Sequence, residues 1–266
     1  MQFGRVETKD GVRYAVREAD TLRLVEGSCF DGSPRFTGEE LDVAACRVLP
    51  PTSPSKILAI GRNYRAHADE LGLSLGAEPS VFLKPLQTLV PHGGTVRLPP
   101  PTLSTEVEHE AEIALVIGRT ARNIEPDAWQ DYVVGITAAD DVSARDLQRS
   151  DPHITRAKGF DTFCPLGPWI NTDTHRGPEP LAVECRVNGV LRQSGTSDEM
   201  LRKPGELLAW LSSWTTLVAG DVVLTGSPAG TGPLVPGDEV EIQVSGLDPL
   251  RHGVVAASDA VAESRS

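Results

Sequence analysis

The stretch EVEHEAEIALVIGR, residues 106–119, decides the fold class. Alternation and Val/Ile content mark it as a β-strand. In a strand, residues two apart share a face, roughly 7 Å from one another. Glu106, Glu108, Glu110 and Glu112 therefore line one face, which Ala114 and Val116 continue as apolar residues. His109, Ala111, Ile113, Leu115 and Ile117 line the other. Glutamates at the outer end of a strand ordinarily face water. The inner pair, Glu110 and Glu112, sits where the strand enters a core, and unpaired carboxylates there repel each other and lose hydration. A divalent cation removes both penalties, and hard oxygen ligands suit magnesium, calcium or manganese.

Working outward, 266 residues bury a sizeable core, enough for one large domain or one large and one small. A net charge of −12 makes nucleic acid and anionic membrane surfaces poor partners. No apolar run approaches the roughly 20 residues that span a bilayer, and the start, MQFGRVETKDG, is no secretory signal. Cys29, Cys46, Cys164 and Cys185 are scattered without C-x-x-C spacing, which fits reduced thiols in the cytoplasm.

The 25 Gly and 21 Pro are dispersed among short β-rich runs, so the reading is α+β with a mostly β core. Residues 1–52 form a small β-rich N-terminal domain, too small for a good core of its own. The Pro-rich LPPTSPSK (49–56) links it to a larger domain at 53–266. ILAIG, SVFLK, YVVGITAAD, DVVLTG and DEVEIQV read as strands. NYRAHADELG reads as a short helix stopped by Gly72, and PGELLAWLSSW as a helix opened by Pro204. Its stripe of Leu207, Trp210, Leu211 and Trp214 is core or interface. Asn188-Gly189 between strand-like runs signals a hairpin.

Asp141, at the mouth of an apolar strand, is by itself a turn or cap residue; with Glu110 and Glu112 it completes a three-carboxylate site. His67 and Glu70 are spaced i, i+3, so on a helix the carboxylate can fix the imidazole tautomer and raise its basicity, as a general base requires. The bland alternative is an exposed surface pair. The other histidines have no comparable partner nearby in sequence. Only five of 25 basic residues are lysine, and Lys84 ends the apolar run SVFLK. A strand-end lysine usually snorkels to water. Beside an acidic metal site, it can instead hold a substrate carboxylate or stabilise an enolate.

Taken together, IGRNYRAHADELG, FLKP, HEAEIALVIG, DDVSARDLQ, RAKGFDTFCPLGPWI and GDVVLTGSPAGTG, in that order over residues 57–246, resemble the fumarylacetoacetate hydrolase superfamily. The bacterial members with a small N-terminal domain are the nearest likeness. The resemblance implies that family's mixed β-sandwich roll and one Mg²⁺ or Mn²⁺ on Glu110, Glu112 and Asp141. It places His67 and Glu70 on a mobile segment that orders over the substrate and activates a water. Lys158 is implied as a catalytic lysine. Gln148, Ser227, Lys84, Arg62 and Tyr64 are implied as substrate-binding, with the Gly226 and Gly230 backbone as a further carboxylate site. His109-Glu110 does not begin a zincin motif, since position 113 is Ile. The glycine-rich turn lacks the Lys-[ST] of a phosphate loop. One departure stands out: relatives often carry Gln-Trp before the R-A-K triplet, where this chain has His153-Ile154-Thr155, which implies a wider pocket and a different substrate.

The implied chemistry begins with a 2-oxo acid chelating the cation, which stabilises the enolate formed as the C3–C4 bond breaks. An acylpyruvate or fumarylpyruvate hydrolase uses His67 and Glu70 to activate water. An oxaloacetate decarboxylase needs no water. The isomerase or decarboxylase of muconate-type dioates (2-hydroxyhepta-2,4-diene-1,7-dioate isomerase, 5-carboxymethyl-2-oxo-hex-3-ene-1,7-dioate decarboxylase) is a third variant. A non-catalytic binding protein on the same fold is the rival from another class. The family's habit also implies a homodimer.

Overall fold

The computed structural model of the chain describes residues 1–30, 32–177 and 180–257; the last residues of the expected larger domain, 258–266, lie outside them. Two sheets and a small third one dominate. The large sheet runs in the order Phe36–Asp42, Thr21–Val25, Gly11–Glu18, Gln2–Thr8, Cys164–Asn171, Val133–Asp140, Ala111–Ile117, Val222–Leu224, Ile57–Gly61, Ser80–Lys84. The second sheet runs Val190–Thr196, Ala182–Val187, Glu239–Val244, Leu250–Val255, Thr95–Arg97. The architecture is α+β and mostly β.

The strand Ala111–Ile117 shows why the sheets stack. Ile113, Leu115 and Ile117 join one buried cluster with Val183, Cys185, Ile242 and Val244 of the second sheet. Ala114 points the other way, into a cluster with Ile57, Ala59, Phe82 and Leu224. Strict alternation thus places a core on each side of one strand. Each such aliphatic side chain, once buried, contributes about 1.5–3 kcal/mol. Glu112 is in register with the Ala114 side, and this is the side on which the site forms.

The N-terminal strands do not stand apart. Gln2–Thr8 pairs antiparallel with Cys164–Asn171 through Gln2↔Asn171 and Phe3↔Ile170, so the large sheet continues across the Pro-rich segment. The helices expected from local pattern are present as Arg65–Glu70 and Pro204–Trp214. The stripe on the second divides: Leu207 and Leu211 are fully buried, whereas Trp214 is 50% exposed. Asn188 and Gly189, at φ 51° and 76°, make the tight turn between Ala182–Val187 and Val190–Thr196.

One expectation is corrected. The 106–119 stretch is not one strand: it breaks at Glu110 into Val107–His109 and Ala111–Ile117. The first piece belongs to the small sheet with Ser143–Ala144 and Gly232–Pro233. The cause is a side chain. The Asp140 carboxylate accepts the Glu110 backbone N–H at 2.7 Å, and the Glu110 carbonyl accepts the Asp141 N–H at 2.9 Å.

Candidate active site

The break brings three carboxylates together. Asp141 follows the end of Val133–Asp140, next to the strand that carries Glu112, and the bend at Glu110 turns its side chain to the same place. Carboxylate oxygens of Glu110, Glu112 and Asp141 lie within 4.8 Å of one another, and all three residues are buried. The donor set is all hard oxygen, which fits Mg²⁺ or Mn²⁺ rather than a soft metal.

The three are not equivalent. Burial pushes the Glu110 carboxyl up, but the adjacent Arg145 and Lys158 charges outweigh it and hold Glu110 well below the usual carboxylate range. The contacts are Arg145 Nη1 at 2.5 Å and Lys158 Nζ at 2.6 Å. For Glu112, burial comes first and the charges of Asp141 and Glu110 add to it. They push its carboxyl well above the usual range, against the pull of Lys158 and of the Gly226 N–H. Glu112 is thus the carboxylate whose negative charge lacks sufficient compensation, as a cation-binding position requires.

Two lysines face the cluster. Lys158, on the short helix Thr155–Lys158, donates to Asp141 Oδ2 at 2.7 Å as well as to Glu110. Burial lowers its affinity for the proton, but Asp141 and Glu110 reverse this, so Lys158 stays charged. Lys84 donates to Asp141 Oδ1 at 2.5 Å and to the Lys158 carbonyl at 2.9 Å. It is 2% exposed and lies behind Asp141, so it reaches that carboxylate and not open space.

His67 approaches from the helix Arg65–Glu70. Its Nδ1 lies 3.1 Å from Glu70 Oε2 and its Nε2 lies 3.7 Å from Glu110 Oε1. Glu70 is itself fixed by the Gly230 N–H at 3.0 Å. The glycine-rich turn therefore does bind carboxylates through its backbone, but they are the chain's own: Gly226 N–H donates to Glu112 at 2.6 Å. Both glycines sit at φ +97°, which disfavours any residue with a Cβ.

A cavity of about 490 Å³ opens over the cluster, with His67, Glu110, Glu112, Gln148, Lys158 and Ser227 in its wall. Arg62 and Ile154 also line it, and Ile154 brings an aliphatic rather than an aromatic side chain to the wall. Gln148 Oε1 accepts from Arg145 Nη1 at 2.7 Å. Ser227 Oγ donates to the Ala111 carbonyl at 3.0 Å and accepts from Gln193 Nε2 at 2.7 Å, so this hydroxyl is already engaged. Tyr64 is not part of the wall; it is 2% exposed, and its hydroxyl has no partner among the described residues.

Two groups escaped the sequence reading. Arg145 clamps Glu108 at 2.7 Å and Glu110 at 2.5 Å, while Arg149 holds Glu106 at 2.6 Å. The outer glutamates thus meet arginines spaced i, i+4 on the helix Arg145–Ser150. That spacing was a readable signal. The other is the fully buried pair of His252 Nε2 and Asp140 Oδ2 at 2.9 Å, which no local pattern announces.

Residues 56–255 match the family described as fumarylacetoacetate (FAA) hydrolase C-terminal, and residues 1–51 match the one described as Rv2993c-like, N-terminal. The chain is 40% identical over 204 residues to oxaloacetate tautomerase FAHD1, mitochondrial, of Arabidopsis thaliana, covering 75% of this chain and 91% of that one. In structure it is similar to 5-carboxymethyl-2-hydroxymuconate delta-isomerase from Mycobacterium smegmatis, with TM-score 0.89 and 38% identity over 96% of this chain and 100% of that one. It is also similar to maleylpyruvate hydrolase from Sphingobium sp. SYK-6, solved with manganese(II) and pyruvate. There the TM-score is 0.78 and the identity 28%, covering 97% of this chain and 100% of the other.

Proposed function

Because the chain belongs to the fumarylacetoacetate hydrolase family, we propose that it is a divalent-metal-dependent hydrolase cleaving a C–C bond in a 2,4-dioxo acid of the acylpyruvate or fumarylpyruvate type. The observation that carries this reading is the placement of His67, with Nε2 facing the carboxylate cluster at 3.7 Å and Nδ1 backed by Glu70 at 3.1 Å. A surface pair would not be aimed at three buried acids. Glu110, Glu112 and Asp141 would hold Mg²⁺ or Mn²⁺. When bound, the cation supplies Lewis-acid stabilisation of the charge that develops on the 2-oxo oxygen.

The chain's own residues then have distinct tasks. Glu70 keeps the proton on His67 Nδ1, leaving Nε2 free to take a proton from water. The water oxygen attacks the C4 carbonyl, the C3–C4 bond breaks, and its electron pair passes to the pyruvate fragment. A proton returned to C3 completes pyruvate, and C4 leaves as a carboxylic acid. Lys158 and Gln148 in the cavity wall orient the substrate head, and Lys84 steadies Asp141 from behind. The four thiols are free, and no helix among the described residues is long and apolar enough to cross a membrane. A reducing, cytoplasmic setting is part of the proposal.

A second reading, decarboxylation or tautomerisation of oxaloacetate, is favoured by the 40% identity to the Arabidopsis tautomerase. The two separate at His67. A positioned base contributes about 10²–10⁴ in rate. His67→Ala is therefore expected to cost acylpyruvate hydrolysis a factor in that range and oxaloacetate decarboxylation much less. Lys158→Ala should damage both. Pyruvate release with Mg²⁺, and its loss after EDTA, reads out hydrolysis and decarboxylation; decay of the oxaloacetate enol absorbance reads out tautomerisation. Equal losses for His67→Ala would make His67 an orienting group. No turnover of any 2-oxo or 2,4-dioxo acid, by pyruvate release or by keto–enol interconversion, would leave the binding protein as the surviving reading.

A further inference from the structure

In a chain of net charge −12, arginines readily find carboxylates, as Arg145, Arg149, Arg156 and Arg251 do. Arg62, Arg65 and Arg202 form no salt bridge among the described residues, yet all three line one cavity of about 260 Å³. Glu78 is the carboxylate in that wall, so the lining keeps an excess of positive charge. This cavity shares Ile60, Gly61, Arg62 and Ser80 with the larger one over the carboxylate cluster, so the two adjoin at the turn after Ile57–Gly61.

Two of the three arginines are held in place by backbone carbonyls. Arg62 Nη1 donates to the Ser74 carbonyl at 3.0 Å, and Arg202 Nη2 donates to the Ala77 carbonyl at 2.7 Å. Asn63 ties the two segments together, accepting the Arg202 N–H at 2.8 Å and donating to the Arg202 and Thr225 carbonyls at 3.0 and 2.8 Å. Arg62 itself sits at φ +59°, an unfavourable backbone conformation for a side chain with a Cβ. Guanidinium groups anchored this way, without an acidic partner and beside a second cavity, suit a planar anion.

We infer that the cavity of Arg62, Arg65 and Arg202 receives a remote carboxylate of the substrate. The preferred substrate is then a dioate, its 2-oxo head at the carboxylate cluster and its far end on the arginines. This rests on the proposed function for the head group. It has a consequence for the reaction, because Arg65 opens the helix that carries His67 and Glu70. An anion on Arg65 restrains that helix, so binding energy from the remote end goes into placing the base.

The test compares two ligands of equal carbon number that differ at the far end, 2-oxoadipate and 2-oxohexanoate, by calorimetric titration of the Mg²⁺-loaded protein. A charge-assisted contact corresponds to about ten- to a hundredfold in affinity. The wild type is expected to prefer 2-oxoadipate by that factor, and Arg65→Gln and Arg202→Gln each to lose most of the preference. Thermal unfolding of both variants checks that they fold, and one folded variant suffices. Equal affinity for the two ligands in the wild type, or a preference that survives in the variants, overturns the inference while leaving the head-group reading intact. If the wild type binds neither 2-oxo acid, adipate and hexanoate replace them. An adipate preference lost in the variants then keeps the arginine site and overturns the head-group reading; no preference overturns both.

Discussion

Glu110 and Glu112, two residues apart, share the same burial and end with opposite shifts because their neighbouring charges differ. Against its burial, Glu110 is held ionised by Arg145 and Lys158, whereas Glu112 is pushed toward its protonated form by burial first and then by the charges of Asp141 and Glu110. The sign of the pH effect follows. A carboxyl whose folded pKa lies above its unfolded value contributes stability that is full below the unfolded value and is lost as pH rises through the folded one. The metal-free protein is therefore expected to lose stability as pH rises through the Glu112 titration, and Mg²⁺ to restore it. Glu112→Gln should remove that slope, raise metal-free stability at alkaline pH and abolish stabilisation by Mg²⁺. Glu110→Gln should also abolish Mg²⁺ stabilisation and activity. In addition, it leaves Lys158 and Arg145 short of a buried partner, at a cost of about 3–5 kcal/mol. Urea unfolding after EDTA dialysis, across pH, distinguishes them. Identical behaviour of the two variants would refute the asymmetry.

At the scale of elements, the Asp140–His252 pair sets the shape of the site. His252 lies on Leu250–Val255 of the second sheet, and Asp140 ends a strand of the first, so their contact crosses the sandwich. The other Asp140 oxygen captures the Glu110 N–H and creates the break. His252→Leu leaves one oxygen of the buried Asp140 carboxylate without its hydrogen-bond partner, and is expected to cost about 1–3 kcal/mol. His252→Leu with Asp140→Asn should recover part of that; a double variant no more stable than the single one would show the pair is not coupled. This also marks what was legible in the chain. Glu110, Glu112 and Asp141 stood out because alternation and strand ends are local patterns, and the helix at Arg65–Glu70 and the Asn188-Gly189 turn are equally local. The break at Glu110 was not legible, because its cause is a side chain 30 residues away, itself held by a histidine 112 residues further on. Nor was the engagement of Ser227 by Gln193, 34 positions distant.

At the scale of the whole molecule, the first 51 residues add strands to the large sheet, and their core is shared. Phe3, Val16 and Val25 pack with Val116 and Ile170, so apolar residues on both sides of the Pro-rich segment form one cluster. Gly4 lies so close to Trp169 that an added Cβ would stand 2.8 Å from its ring. The Pro-rich segment is therefore a poor place to cut. A chain beginning at residue 53 would expose the edge of Cys164–Asn171 together with Ile170 and Trp169, and an unpaired apolar edge is a template for pairing between copies. Sedimentation velocity at micromolar concentration tests this and the expected homodimer together. The full chain should sediment as a discrete species of two copies, with the half-exposed Trp214 one of the apolar groups available to the contact. The shortened chain should give a broad distribution of larger species. A full-length monomer would refute the dimer, and a shortened chain as sharply distributed as the full one would mean that residues 53–266 close their own edge.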